Sequence, residues 1–114
     1  MSGYLYCLYN EVYKYYGEDV YKLGREININ QCLNKYKTSY IKPSIIEISL
    51  KVKDIKGAEK ILFRELRKYK VKNNREFYKV ELKVIKEVFN FIEKLSDDEF
   101  KKEINEIKNI SNLY

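Results

Sequence analysis

The stretch from Asp54 to Lys70, DIKGAEKILFRELRKYK, constrains the fold of this chain more than any other. Its apolar residues recur at three- and four-residue spacing, which predicts an amphipathic helix with one buried face. Asp54 is predicted to be the N-cap, because its carboxylate can accept a hydrogen bond from a free amide of the first turn. The residues of the buried stripe are Ile55, Ala58, Leu62, Leu66 and Tyr69.

One acidic residue lies on this apolar face. Glu59 stands three, four and seven residues before Leu62, Phe63 and Leu66, so its side chain shares their side of the helix. Burying an uncompensated carboxylate is costly unless a cation or hydrogen bonds stabilise it. Two interpretations stay open. Either Glu59 reaches water at the rim of the core, or it binds a metal ion at the mouth of a cleft.

The positive charge of the chain is concentrated around this helix. The whole chain carries 23 Lys and Arg against 17 Asp and Glu, a net charge of +6. Residues 51 to 79 hold eleven of the basic residues and four of the acidic ones, a net charge of +7. A basic surface of this kind is typical of proteins that bind nucleic acid, although a solvated lysine-rich face has the same composition. The candidate nucleic-acid contacts are Lys51, Lys53, Lys56, Lys60, Arg64 and Arg67.

The chain has no histidine, which excludes Ser-His-Asp triads, imidazole metal sites and histidine general bases. Any metal site must use oxygen ligands, which favours Mg²⁺ or Mn²⁺. Cys7 and Cys32 form neither a CxxC motif nor a disulfide framework. The sequence shows no signal peptide and no apolar stretch near the roughly 20 residues that cross a bilayer. We therefore expect an intracellular protein, in the cytoplasm or nucleus of a host cell, with no membrane partner.

The remaining pattern predicts an α+β fold, a small three-stranded antiparallel sheet flanked by helices. Tyr4–Tyr9 and Val20–Leu23 are predicted strands of one hairpin, and Gly24 is expected to end the second. Residues 45–52 alternate between apolar and polar positions and form the third strand. Residues 76–80 form a short strand or an extended segment. Tyrosines 13, 15 and 16 in the hairpin loop could stack on bases or pack over the sheet.

Three further helices follow from capping and periodicity. Asn28 is predicted to cap a short helix to about Tyr36, with Cys32 facing inward. Leu82 to Leu95 is an amphipathic helix, and Ser96 with Glu99 forms a capping box for a last helix. We divide the chain into a core at residues 1–81 and a helical extension at 82–114. That extension either packs on the core or forms an interface with a second copy or a protein partner.

The order of several short motifs resembles that of the GIY-YIG nuclease superfamily. Gly3–Tyr6 reads GYLY and Tyr21–Gly24 reads YKLG, and both lie in the predicted hairpin. They are followed by LNKYKTS at residues 33–39, a strand, a helix that carries Ala58-Glu59, and EFY at residues 76–78. The resemblance covers roughly residues 3 to 81. It is closest to the phage- and large-virus-type branch, where the second motif commonly reads YKIG.

The resemblance implies a DNA endonuclease, of the kind found in viruses and mobile elements. Tyr6 matches the tyrosine of the first motif, and Lys22 stands where the second motif has a tyrosine. Glu59 matches the single metal-binding glutamate, which implies one Mg²⁺ or Mn²⁺ ion at that residue. In such a site the tyrosine or lysine of the hairpin accepts or relays a proton, and the ion neutralises charge on the phosphate.

The pattern departs from the family at the residue that clamps the phosphate. The branch has an arginine directly before a leucine on the first helix, and this chain has Cys32 before Leu33. A thiol has neither the charge nor the two-pronged geometry of a guanidinium. Arg25 could reach the phosphate instead, or it could pair with an acid on the surface. Cys32 could itself be a nucleophile, although without histidine a buried core thiol is the simpler interpretation.

Three functions therefore remain open from the sequence. The first is a DNA-binding GIY-YIG-like protein with weak or lost Mg²⁺-dependent cleavage. The second is a non-catalytic nucleic-acid-binding module derived from that fold. The third is a viral accessory factor that binds a protein through its C-terminal helices.

Overall fold

The computed structural model describes residues 1–31, 34, 44–71 and 76–113. Residues 111–113 are described by their backbone alone. The fold is α+β, as predicted, but the antiparallel sheet has four strands where three were expected. The strands run in the order β3-β1-β2-β4 across the sheet. Their bounds are Gly3–Tyr9 for β1, Val20–Glu26 for β2, Ile45–Val52 for β3 and Phe77–Lys79 for β4.

The additional strand, β4, lies in the segment for which the sequence left a strand or an extended segment open. It pairs antiparallel with β2, where Lys79 lies opposite Val20 and Phe77 opposite Lys22. A strand of three residues is too short for alternation to identify, because its existence depends on the hydrogen bonds that β2 offers. The three-stranded prediction was therefore wrong by one edge strand.

Strand β2 is also longer than predicted. The sequence placed its end at Gly24, but the strand continues to Glu26, with Gly24 opposite Tyr6 and Arg25 opposite Leu5 on β1. Glycine usually weakens a strand, but here it accommodates the close approach of the tyrosine across from it. Arg25 therefore lies within the sheet and not in the loop beyond it.

Strand β3 has the predicted bounds but contains an irregularity that the alternation does not reveal. Cys7 on β1 lies opposite Ile48, whereas the next residue, Leu8, lies opposite Ile46, so Glu47 is an extra residue. A bulge of this kind reverses the side on which the following side chains lie. Ile46 accordingly packs with Leu8 on one face of the sheet, while Ile48 packs on the other face.

The helices follow the predicted caps closely. Helix α1 covers Ile55–Leu66 and continues as a 3₁₀ turn at Arg67–Tyr69, α2 covers Leu82–Lys94, and α3 covers Asp97–Leu113. The Asp54 carboxylate accepts a hydrogen bond from the Gly57 amide at 3.1 Å, which confirms the N-cap. Glu99 accepts from the Ser96 amide at 2.9 Å and donates its own amide to the Ser96 hydroxyl at 3.2 Å. This exchange confirms the capping box.

The helix predicted after Asn28 is described in part. The Asn28 side chain accepts hydrogen bonds from the amides of Asn30 and Gln31, at 3.0 and 3.3 Å, as an N-cap does. Residues 29–31 and 34 are helical. Cys32 and the predicted end of this helix near Tyr36 lie outside the described residues.

The main core lies between one face of the sheet and the three helices. Leu5, Cys7 and Leu23 of the sheet pack against α1, and α2 contributes Ile85, Phe89 and Ile92 to the same core. Phe100, Ile104 and Ile107 of α3 pack against its edge. The other face of the sheet carries a smaller cluster of Tyr6, Leu8, Ile29 and Ile46. Among the described residues, no helix is both long enough and apolar enough to cross a membrane.

The hairpin loop contains a 3₁₀ helix, Glu11–Tyr16, that folds most of its tyrosines onto the sheet. Tyr13 is buried and its ring lies 4.9 Å from that of Phe77, and the Tyr16 ring lies 5.3 Å from the same phenylalanine. Tyr13 and Tyr16 therefore pack over the sheet, which is one of the two roles that the sequence left open for them. Tyr15 is 88% exposed and touches the ring of Tyr16 edge-on.

Candidate functional site

The predicted site residues are divided between the two faces of the sheet. Residues opposite each other in an antiparallel pair point to the same face, and neighbours along a strand point to opposite faces. Tyr6 is opposite Gly24 and Leu8 is opposite Lys22, so Tyr6 and Lys22 share the face away from α1. Arg25 is opposite Leu5, which packs on α1, so Arg25 shares the face of Glu59.

The closest contact among the predicted residues joins Arg25 and Glu59. The guanidinium Nε of Arg25 lies 3.6 Å from Oε1 of Glu59. Glu59 lies one turn into α1, and its side chain is 21% exposed, so it stands at the rim of the core. The extension of β2 through Gly24 is what brings Arg25 to this position. The sequence alone left Arg25 between a phosphate contact and a surface partner of an acid, and in the described structure its guanidinium lies beside the Glu59 carboxylate.

Glu59 is an electrostatically unusual carboxylate. Desolvation by its partial burial raises the pKa of Glu59, the Arg25 guanidinium lowers it, and the negative charge of Glu76 raises it again. The net shift of the pKa is upward. Desolvation therefore outweighs the attraction of the single guanidinium at 3.6 Å.

The second ion pair at this edge of the sheet joins Lys22 and Glu76. Lys22 is a buried lysine, and its Nζ lies 3.0 Å from Oε2 of Glu76. Glu76 directly precedes β4, and its carbonyl accepts a hydrogen bond from the Leu23 amide at 2.9 Å. The pairing of β4 with β2 thus places Glu76 close enough to Glu59 to act on its pKa. Lys22 is therefore linked to Glu59 only indirectly, through the carboxylate of Glu76, and its strand position faces away from α1.

Tyr6 takes a different place from the other predicted residues. It is buried, and its ring lies across Gly24, whose missing side chain leaves the room that the phenol occupies. It packs in the cluster with Leu8 on the sheet face away from Glu59. The structure therefore pairs Arg25 with Glu59 and Lys22 with Glu76, and it places Tyr6 and the strand position of Lys22 on the other face of the sheet.

Sequence reasoning missed two side chains at this edge. In the sequence, Glu76 and Tyr78 stand out only as part of the EFY motif, which does not identify either of them as a site residue. Tyr78 lies on the α1 side of β4, where its ring stacks on that of Phe63 at 5.7 Å. Burial raises the pKa of the Tyr78 phenol, and the negative charge of Glu59 raises it further. The signal that could have identified them is the pairing of β4 with β2.

The basic residues of the candidate nucleic-acid surface separate into two groups. Lys51, Lys56, Lys60 and Arg67 are exposed, and the last three project along one stripe of α1 and its 3₁₀ extension that borders Glu59. Arg64 is instead bound within the protein, with its guanidinium 2.7 Å from Glu65 and 2.6 Å from Glu103. The Nζ of Lys53 lies 3.7 Å from Asp97 at the exposed surface.

The ion pairs of Arg64 change its electrostatics. Burial alone would lower the pKa of Arg64, but hydrogen bonds from its guanidinium to Glu103 and Glu65 outweigh that effect and raise the pKa. Because two carboxylates bind the Arg64 guanidinium, this side chain helps to hold α1 against α3. The exposed stripe of α1 therefore offers the free cationic surface beside Glu59.

A divalent ion fits these residues only as a hydrated ion. The described residues contain no group of three or more His, Cys, Asp or Glu side chains that could hold a metal. Mg²⁺ is commonly held by one or two carboxylates and keeps several waters. The incompletely compensated charge of Glu59, with Glu76 nearby, suits an ion of that kind. Cys32, at the position where the resemblance places an arginine, lies outside the described residues.

The comparisons with known proteins give one match. The model of the T5orf172 domain family matches residues 3–93, which covers the sheet, α1 and nearly all of α2. No curated protein and no solved structure matches the chain. The matched segment contains Arg25, Lys22, Glu59 and Glu76 and stops before α3.

Proposed function

This chain belongs to the T5orf172 domain family, which is found in phage and related nuclease-like proteins, and from that premise we propose a more specific function. The protein is a GIY-YIG-type DNA-binding protein that cleaves phosphodiester bonds weakly with Mg²⁺ or Mn²⁺. The observation that carries the proposal is the contact of Arg25 with the half-buried Glu59 beside the basic stripe of α1. The order of the GYLY, YKLG and EFY motifs supports it.

The proposal assigns metal binding to Glu59. The negative charge of its partly desolvated carboxylate is only partly compensated by Arg25, so binding of a cation would stabilise it. A bound Mg²⁺ or Mn²⁺ ion would neutralise charge on the scissile phosphate and lower the pKa of a coordinated water. The same ion would compete with Arg25 for Glu59.

Arg25 takes the place of the missing helix arginine in this proposal. Released from Glu59 by the ion, its guanidinium would remain at the rim of the site and could bind two phosphate oxygens. Lys22 is assigned to proton relay, because its ammonium is paired with Glu76, whose charge acts on Glu59. Tyr6 would act on the site only through the packing of the hairpin, since its phenol lies on the other sheet face.

The direct test is a nicking assay on supercoiled DNA with Mg²⁺ or Mn²⁺, which compares wild type with Glu59→Ala. We expect the substitution to abolish metal-dependent nicking. Glu93→Ala is the matched control, because Glu93 is an exposed acid on α2 away from β2 and β4. Equal nicking by wild type and Glu59→Ala would remove the metal-nuclease proposal.

The DNA-binding part of the proposal has its own test in the salt dependence of affinity. Each phosphate contact that a lysine makes releases counterions, so the affinity falls steeply with salt. Lys60→Gln should weaken DNA binding and reduce the slope of log affinity against log salt by about 1. Lys83→Gln on α2 removes an exposed lysine outside the stripe and should leave the slope unchanged.

A second candidate function is a DNA-binding module without cleavage. It is favoured by the position of Tyr6 on the opposite face of the sheet from Glu59 and by Cys32 at the arginine position. This candidate expects salt-dependent DNA binding and no nicked product. Cys32→Arg should then raise cleavage if the rest of the site is competent, and no gain would favour the binding module.

A further inference from the structure

Tyr78 is an almost completely buried residue whose hydroxyl oxygen is not fully enclosed. The residue is 2% exposed in total. Among the described residues, no buried side-chain oxygen or nitrogen lacks a hydrogen-bond partner, and the Tyr78 phenol forms no hydrogen bond to any of them. Its oxygen must therefore keep contact with solvent. The ring of such a tyrosine is fixed in the core, while its hydroxyl group is available for a hydrogen bond at the surface.

The position of Tyr78 is fixed by a ring contact and by strand pairing. It stacks nearly parallel on Phe63, with 5.7 Å between the ring centroids and 17° between the planes. In the sheet, Tyr78 lies opposite Tyr21 on β2. The stacked ring on a paired strand leaves the hydroxyl little freedom, which is the condition for a preorganised hydrogen-bond donor.

The fixed ring places the hydroxyl at the Glu59 site. Phe63 stands one helical turn after Glu59 on the same side of α1, so a ring stacked on Phe63 lies beside that carboxylate. Burial raises the pKa of Tyr78, and the negative charge of Glu59 raises it further. A phenol can donate a hydrogen bond to an anionic oxygen that approaches it.

We infer that the Tyr78 hydroxyl donates a hydrogen bond to a non-bridging phosphate oxygen of nucleic acid bound at Glu59, an inference that rests on the proposed function. Tyr78 then belongs to the substrate-contacting residues together with Arg25. The site gains a neutral donor in addition to the Arg25 guanidinium. The donor comes from β4, which is the strand that the sequence did not predict.

Tyr78→Phe tests the inference, because it keeps the ring on Phe63 and removes only the hydroxyl. In the nicking assay we expect kcat to fall by about 10²–10³, the usual effect of losing one preorganised donor. The metal concentration for half-maximal activity should stay unchanged, since the hydroxyl is not a metal ligand in this proposal. Tyr21→Phe is the matched control, a partly buried tyrosine directly across the sheet, and it should retain wild-type kcat.

A binding measurement separates this inference from the proposed cleavage. Affinity for a duplex oligonucleotide is measured by fluorescence anisotropy with Ca²⁺ in place of Mg²⁺, so that cleavage does not interfere. Loss of a hydrogen bond to a charged phosphate should weaken binding by Tyr78→Phe about tenfold, while Tyr21→Phe binds as wild type does.

The outcomes distinguish the two proposals. If wild type nicks DNA and Tyr78→Phe matches it in both kcat and affinity, the inference about Tyr78 is overturned and the proposed nuclease stands. If wild type binds DNA but does not nick it, the cleavage proposal fails, and the affinity of Tyr78→Phe alone decides the role of the hydroxyl. A midpoint of thermal unfolding for Tyr78→Phe close to that of wild type excludes a general loss of folding.

Discussion

The hydroxyl oxygen of Tyr6 lies 2.6 Å from the point where a Cβ would stand on Gly24, the residue opposite it across β1 and β2. The ring carbon that bears this oxygen is 2.8 Å from the same point. Both separations are shorter than any real contact of a Cβ, so only glycine permits the ring to lie here. The glycine of the second motif and the tyrosine of the first are therefore one packing unit.

Gly24→Ala should destabilise the protein by about 1–3 kcal/mol, because the added methyl group forces the buried Tyr6 ring to move. The free energy of unfolding in denaturant measures the effect. Ser49→Ala is the control, since Ser49 lies opposite Tyr6 on β3 and is exposed, and it should change stability by less than about 0.5 kcal/mol. In a Tyr6→Leu background Gly24→Ala should cost clearly less. Equal costs in both backgrounds would show that the ring is not what excludes the methyl group.

The upward shift of the Glu59 pKa predicts a pH-dependent stability. A carboxyl group that holds its proton more tightly in the folded state stabilises the protein below its unfolded pKa of 4.5, and that contribution is lost as pH rises through the higher folded value. Glu59→Gln keeps an uncharged side chain at every pH. The stability of Glu59→Gln relative to wild type should therefore increase from pH 4 toward neutrality. Glu93→Gln, at an exposed position, should give a flat difference.

Cys7 should be chemically inert in the folded protein. It is completely buried, and both desolvation and the charge of Glu47 raise the pKa of its thiol far above the usual range. A thiolate is the reactive form, so a thiol reagent at neutral pH should not modify Cys7 until the chain unfolds. In Cys32→Ser, where Cys7 is the one cysteine left, the number of reactive thiols should rise from none to one on adding denaturant. Rapid labelling under native conditions would contradict the buried position.

Helix α2 provides a matched pair of phenylalanines that separates a core role from an interface role. Phe89 is 3% exposed within the main core, and Phe91, two residues later, is 39% exposed. Phe89→Ala should cost about 3–5 kcal/mol of stability, and Phe91→Ala should cost little. If instead Phe91→Ala lowered the apparent mass in solution while leaving stability unchanged, the helix would serve as an interface between copies. Thermal unfolding and light scattering on the two variants decide between these outcomes.

Local patterns were enough to predict the parts of the fold that depend on neighbouring residues. The Asp54 cap, the Ser96–Glu99 capping box and the limits of β3 each follow from residue types within a few positions. The features that escaped prediction depend on distant partners. Three residues of β4 become a strand because β2 offers them hydrogen bonds, and the bulge at Glu47 exists because β3 must keep register with β1.

The candidate site was predictable only as a set of separate residues. Glu59 was identified from its position on an apolar stripe, and its half-buried place at the rim agrees with that reasoning. The contact with Arg25 could not be derived, because it depends on β2 continuing beyond Gly24. The same holds for Tyr78, whose position beside Glu59 requires β4 to add to the sheet. Long-range pairing, which alternation does not encode, decided which side chains meet.

The ion pair of Arg64 with Glu103 has a practical consequence for anyone who compares members of this family. The family match stops at residue 93, whereas Glu103 belongs to α3, which follows it. A protein trimmed to the matched region would keep each proposed ligand. It would nevertheless lose the Arg64–Glu103 ion pair, which holds α1, the helix that carries Glu59. If such a protein did not cut DNA, the cause would be the lost structural support of α1. The result would not test the chemistry of the site.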